Sequence, residues 1–215
     1  MRKLPTRQVH LDFHTSPLIP CVGSRFDKKH FQEALKVGNL NSITVFAKCH
    51  HGYCYYPTKV GTMTPNLDFD LTGAWIEAAH EIGIKAPVYI TAGWCALDAE
   101  QHPEWRAVKK DGSYATTNFD MAAAPATPKP DTSWIQMCLN DGPYCQHIYE
   151  LTEEICQRYA DLDGLFYDIV IVGGPCYCET CKAGMKEMGL DPENEADARQ
   201  YYQIKRQAFM DKCRI

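Results

Sequence analysis

Residues 163–181 read DGLFYDIVIVGGPCYCETC, and the rest of the chain is organised around them. Leu165, Phe166, Ile169, Val170 and Ile171 form an apolar run bounded by Gly164 and by Gly173-Gly174-Pro175, which predicts a buried strand. Asp168 sits near the end of that run. A carboxylate there is costly unless it is paired or placed at an open mouth. Cys176, Cys178 and Cys181 follow at once in a C-x-C-x-x-C pattern whose spacing suits metal ligation. An acid at a strand end, followed by a metal-type knuckle, is the strongest functional signal in the chain.

Upstream, residues 9–15 alternate. Val9, Leu11 and Phe13 fall on one face of a first strand, and His10, Asp12 and His14 fall on the other. That pattern predicts an apolar face packed on helices and a polar trio turned into a barrel or cleft. Residues 26–39 read as a helix capped by Asp27, with Phe31, Ala34 and Leu35 on one side. A second strand spans residues 42–48 and ends in Cys49-His50-His51-Gly52, followed by Tyr53, Tyr55 and Tyr56. Asp70 caps a second helix, in which Leu71, Trp75, Ala78, Ala79 and Ile82 repeat at helical spacing before Gly83 stops it. The third strand, residues 86–92, runs into Gly93-Trp94.

Residues 95–133 show no period and contain His102, Trp105, an Asp111-Gly112 turn and the run MAAAPATPKP. A stretch of this length without periodicity reads as a functional loop or lid. A third helix is predicted over residues 143–160, with Tyr144, Ile148, Leu151, Ile155 and Tyr159 as its buried stripe. Helical segments over 179–188 and 196–213 follow the fourth strand. No internal repeat or domain boundary is visible.

Strand and helix thus alternate four times, with crossovers long enough for parallel pairing. His14, His50, His51, Trp94 and Asp168 fall at the C-terminal ends of strands, where a (β/α)8 barrel builds its active site. A full barrel takes eight strands and about 250 residues. The expectation is therefore an α/β fold of the TIM-barrel type, with residues 1–215 forming the N-terminal half of the catalytic domain. A half-barrel would have to pair, so a homo-oligomer is the accompanying alternative.

The chain of 215 residues is 45% apolar and 23% charged, an ordinary globular composition. A net charge of -5 argues against a nucleic-acid or anionic-membrane partner, and basic residues gather only in pairs such as Lys28-Lys29 and Lys109-Lys110. The N-terminal MRKLPTRQVHLDF lacks the apolar core of a secretory signal, and no stretch approaches the ~18 apolar residues of a membrane span. Eleven cysteines in such a chain imply thiols in a reducing, cytoplasmic compartment.

Several segments resemble known families. ITVFAKCHHGYCYYPTKVG and DLTGAWIEAAHEIGIKAPVYIT resemble the α-L-fucosidase pattern of an LTAKHHDGF-type segment, a DLV-type helix and a GLKFGLYYS-type strand. HLDFHTSP is similar to the FIHWG-type segment of those enzymes, and GLFYDIV to the strand that carries their aspartate nucleophile. The overall likeness is to the hypothetical glycosyl hydrolase 6 group and to fucosidase families 151 and 29. Aligned on Lys48 and Gly52, Cys49 and His51 stand where the better-known fucosidases have His and Asp. WIQMCLNDGPYCQHIYE with PCYCETC is similar to family 42 β-galactosidases, in which a cysteine ahead of the third helix joins a C-Y-C-x-x-C run to hold zinc.

The resemblance implies a retaining glycoside hydrolase acting on a carbohydrate, with Asp168 as nucleophile and His14 as a sugar-binding histidine. It implies Cys138 as the fourth zinc ligand beside Cys176, Cys178 and Cys181, in a structural site. Cys145 is the alternate. His14, His50 and His51 are candidates for contact with sugar hydroxyls, because a neutral imidazole both donates and accepts. Trp94, Tyr55, Tyr56 and Trp105 offer aromatic faces on which a pyranose could stack. Glu100 and Glu104 carry no motif, so the acid/base carboxyl is expected outside this chain. Catalysis by a metal on the histidines and Asp12, a β-galactosidase-type hydrolase and a non-catalytic sugar-binding half-barrel are the competing readings.

Overall fold

Ser42–Lys48 (β2) is buried at all seven positions, which is why its sequence, SITVFAK, shows no clean alternation. The computed structural model describes residues 5–115, 134–170 and 173–214. They group into two compact units, residues 1–91 with 153–168 and residues 92–152 with 169–215. No linker composition marks this division, because one break falls inside a helix and the others at strand ends.

In the first unit Gln8–His10 (β1), β2, Val88–Thr91 (β5) and Leu165–Asp168 (β6) pair in parallel, in that order. Tyr53–Cys54 (β3) pairs antiparallel with β2 at Lys48, beyond the point where the β1 ladder stops, and Thr62–Met63 (β4) extends β3. The helices Lys28–Val37 (α1) and Leu71–His80 (α2) lie in the crossovers that follow β1 and β2. Their starts obey the capping signals: Asp27 accepts from the His30 amide at 2.7 Å, and Asp70 from the Gly73 amide at 2.7 Å. At the N-terminal ends of β5 and β6, Asp163 accepts from Lys85 Nζ at 2.7 Å, the Ala86 amide at 2.8 Å and His80 Nε2 at 2.9 Å.

Three strands are shorter than the sequence predicts, the third spanning Val88–Thr91 rather than residues 86–92. The first ends at His10 rather than Thr15, although Phe13 still packs against Tyr55 and Trp75 and the polar trio stays together. The fourth ends at Asp168, because Ile169 adopts φ 62° and turns the chain out of the sheet. Nor is it fully buried. Phe166 is 41% exposed, since among the described residues β6 pairs with β5 on one side only. Ile171 lies outside the described residues.

The second unit is mainly helical. Ala96–Gln101 (α3) forms where the sequence shows no period, followed by a 3-10 turn at Pro103–Trp105. Cys95 caps α3 through its sulfur, a start signal the usual capping residues do not reveal. Residues 116–133, nearly half of the predicted loop, lie outside the described residues. Pro143–Arg158 (α4) begins in this unit, and Glu179–Glu187 (α5) and Glu195–Lys212 (α6) follow. The core here gathers Ala107, Cys138, Cys181, Met185, Ala198 and Tyr201. No helix among the described residues is long and apolar enough to cross a membrane.

Candidate active site

The first cluster belongs to the first unit. After β1 leaves the sheet the chain carries Asp12 and His14; after β2 it turns at Gly52, φ 100°, and carries His50 and His51. The His14 and His50 rings lie 4.2 Å apart and the His50 and His51 rings 4.6 Å apart. Asp12 orients His14, with Oδ1 at 2.8 Å from Nε2. Nδ1 of His14 is buried and makes no hydrogen bond among the described residues. A buried ring nitrogen of this kind is available to a ligand.

Beneath the imidazoles runs an aromatic ladder. Phe46 stacks on Tyr89 at 3.9 Å and Tyr89 on Phe166 at 5.8 Å, following the register of β2, β5 and β6. His10 and His14 pack against the same rings. The Tyr89 hydroxyl donates to Asp168 Oδ2 at 2.8 Å. Burial and the Asp168 carboxylate both push the Tyr89 hydroxyl up, so it remains a donor at any physiological pH. Periodicity places Tyr89 on a strand but does not reveal this bond.

All three imidazoles are held neutral. Burial lowers His14, and Asp12 and Asp168 only partly oppose it. Burial and the neighbours His14 and His51 lower His50 to about 3, and burial with His14 lowers His51. A histidine lowered in the folded state binds its proton more readily when unfolded. Stability is therefore full above the unfolded value of about 6.5 and declines as pH falls below it toward the folded values. Asp163 adds a later loss. Burial raises its carboxyl, but Lys85, the Ala86 amide and His80 outweigh that and leave it lowered, so its contribution disappears below about pH 4. We expect the melting temperature to fall steadily from pH 6.5 to pH 4. A flat profile across that range in calorimetry would contradict the buried-imidazole arrangement.

The remaining aromatic candidates are placed differently. Tyr56 is fully buried, and its hydroxyl donates to Glu154 at 2.9 Å, so it presents no ring face to a sugar. This corrects the substrate-binding expectation for Tyr56: the loop aromatic is a core residue. Tyr55 is fully buried too. In the second unit Trp94 stacks on Trp134 at 5.2 Å and Trp105 on His102 at 3.7 Å. Gly93 has no room for a side chain, since a Cβ would collide with the Ile169 carbonyl.

The second cluster is also in the second unit. The sulfurs of Cys138, Cys176, Cys178 and Cys181 all lie within 4.8 Å of one another, and Cys138 and Cys181 are 3.6 Å apart. Tetrahedral thiolates at about 2.3 Å from one ion stand about 3.8 Å apart, so the group could hold a metal. Cys178 caps α5 and Cys181 lies in its first turn. The amides of Val108 and Cys178 point at Cys176 Sγ at 3.4 and 3.5 Å, and Asn140 Nδ2 donates to Cys181 Sγ at 2.9 Å. Such donors settle charge on sulfur, as outer partners do around metal thiolates. Cys145 instead turns its thiol toward the Cys138 carbonyl. None of the eleven cysteines, all among the described residues, forms a disulfide.

Comparison with known proteins places this chain in a family. The model for Hypothetical glycosyl hydrolase 6 matches residues 21–169. The α-L-fucosidase isoenzyme 2 of Paenibacillus thiaminolyticus is similar at 43% identity and a TM-score of 0.82, over 97% of this chain and 30% of that one. The β-galactosidase of Rahnella sp. R3 shares the fold at 14% identity and a TM-score of 0.62, over 86% of this chain and 30% of that one. A hypothetical protein of Ruminiclostridium thermocellum does so at 12% identity and 0.57, over 94% and 92%. No curated protein matches the sequence. The chain spans about a third of the fucosidase's length.

Proposed function

Because this chain belongs to the hypothetical glycosyl hydrolase 6 family, we propose that it forms the N-terminal half of a TIM-barrel catalytic domain in a retaining, α-L-fucosidase-like glycoside hydrolase. The observation that carries this reading is the joining of Asp168, through Tyr89 and His14, to three neutral imidazoles at the ends of parallel strands. The similarity to the fucosidase over nearly the whole chain supports it.

In this mechanism His14, His50 and His51 hold the sugar's hydroxyls, with His14 Nδ1 offering an unused hydrogen-bonding position. Tyr89 donates to one oxygen of Asp168, and the carboxylate it orients attacks the anomeric carbon. That bond forms as the glycosidic oxygen leaves and takes a proton from an acid/base carboxyl, giving a glycosyl ester. Water, deprotonated by the same carboxyl, then attacks the anomeric carbon and frees Asp168. The paired carboxyl would stand about 5 Å from Asp168, as retention requires, and we assign it to a part of the polypeptide beyond these residues. Four sulfurs without a carboxylate suit zinc in a closed, structural site formed by Cys138, Cys176, Cys178 and Cys181.

The test uses the polypeptide that carries this chain, with 4-nitrophenyl α-L-fucoside and β-D-galactoside as substrates and proton NMR of the first sugar released. Release of α-L-fucose before mutarotation is the expected result. β-L-fucose first would remove the retaining mechanism, and galactoside turnover alone would favour the β-galactosidase reading. Fucose binding without any turnover would favour a carbohydrate-binding role.

A further inference from the structure

The residues that carry Asp12 and His14 are not held by the sheet. The ladder between β1 and β2 ends at the pair His10 and Thr44. Past that pair, Phe13 and Thr15 direct their backbone groups to the Tyr55 hydroxyl. That hydroxyl donates to the Phe13 carbonyl at 3.0 Å and accepts from the Thr15 amide at 3.1 Å. Thr15 Oγ1 lies 2.9 Å from it. The hydroxyl thus serves both as donor and as acceptor, with the Cys49 thiol also beside it. The bonds fall on the residues immediately before and after His14.

The phenol itself cannot drift. Tyr55 is fully buried; its ring packs edge-on against Phe13 at 5.1 Å, and its amide bonds the Ala47 carbonyl at 2.9 Å. It therefore ties the exit of β1 to the body of β2, whose far end carries His50.

We propose that Tyr55 is a positioning residue that fixes His14 against His50 by clamping the backbone on both sides of it. The role of His14 toward a sugar rests on the function proposed above, whereas the clamp does not. A side chain acting through backbone atoms gains its effect by pre-organisation, and a small displacement of the ring it positions weakens every bond that ring makes.

The test is Tyr55→Phe in the whole chain, with Tyr56→Phe as control. Tyr56 is an equally buried phenol whose hydroxyl serves Glu154 instead. In Tyr55→Phe the Thr15 amide should exchange with solvent about tenfold faster than in the wild type, the loss of one buried hydrogen bond. The ring-proton resonance of His14 should shift and broaden, while those of His80 and His102 stay in place. Tyr56→Phe should change neither. Equal responses in the two variants would reduce Tyr55 to a general stabiliser and overturn the proposal. Should Tyr55→Phe fail to fold, the wild type decides. Thr15 exchange as slow as that of the Ile43 and Val45 amides supports the clamp, and exchange at the rate of an open loop overturns it. L-fucose added to the folded proteins separates the two ideas. If no sugar binds even the wild type, the glycosidase reading falls while the amide and His14 measurements still judge the clamp.

Discussion

Replacing Asp168 by Asn should lower kcat/KM for an aryl α-L-fucoside by about 10³-fold or more, roughly 4 kcal/mol of transition-state stabilisation. The substitution keeps shape: an amide oxygen still accepts from the Tyr89 hydroxyl, so the aromatic ladder keeps its link to the strand end. What disappears, under the proposed mechanism, is the nucleophile. L-Fucose binding, assigned to the imidazoles in that mechanism, should change less than tenfold. Calorimetric titration beside initial rates separates the two effects. Equal losses of binding and turnover would make Asp168 a binding group, and near-wild-type turnover would remove it from catalysis altogether.

The other large effect is expected at the four sulfurs. Purified protein should contain close to one zinc per chain, and Cys181→Ser should lose it. Cys181 lies within the core of the second unit, between the α5 turn and Cys138. Removing the ion would leave four crowded thiols whose protons have no satisfactory arrangement. Cys178 is held well below its ordinary value by donation from Cys138, Cys176 and Cys181, whereas Cys138 is pushed the other way. Structural zinc in small modules contributes on the order of 10 kcal/mol of binding free energy, so chelation should unfold α5 and α6 well before the parallel sheet. Circular dichroism with a chelator titration and elemental analysis would measure this. Less than about half a zinc per chain, or unchanged melting in Cys181→Ser, would contradict it.

Helices were the most legible elements, because caps and period are local properties. Asp27 and Asp70 announce α1 and α2, and α4 follows its apolar stripe. The strand ends were less so. The alternation over residues 9–15 places Phe13 and His14 correctly beyond the end of the ladder at His10, but it overstates the packing of Leu11, which is 46% exposed. Within the candidate site, the histidines and Asp168 are visible as polar groups at the ends of apolar runs. Tyr89 is not, since a tyrosine in a strand looks the same whether its hydroxyl meets a carboxylate or water. The converse error is Tyr56, an aromatic in a polar loop whose destination is set by Glu154, distant in sequence. Cys176, Cys178 and Cys181 declare themselves by spacing, whereas Cys138 is named by the resemblance alone, and the fold brings it to them.

Ile169 occupies the left-handed region at φ 62°, one position after Asp168, and its carbonyl fills the space that Gly93 leaves open. A β-branched residue held there costs about 1–3 kcal/mol. That conformational debt never appears among the contacts of the native protein, yet every folding event incurs it. Selection for thermal robustness alone would have put glycine or asparagine at this corner. An isoleucine there is what remains when the direction of the exit matters more than the ease of reaching it.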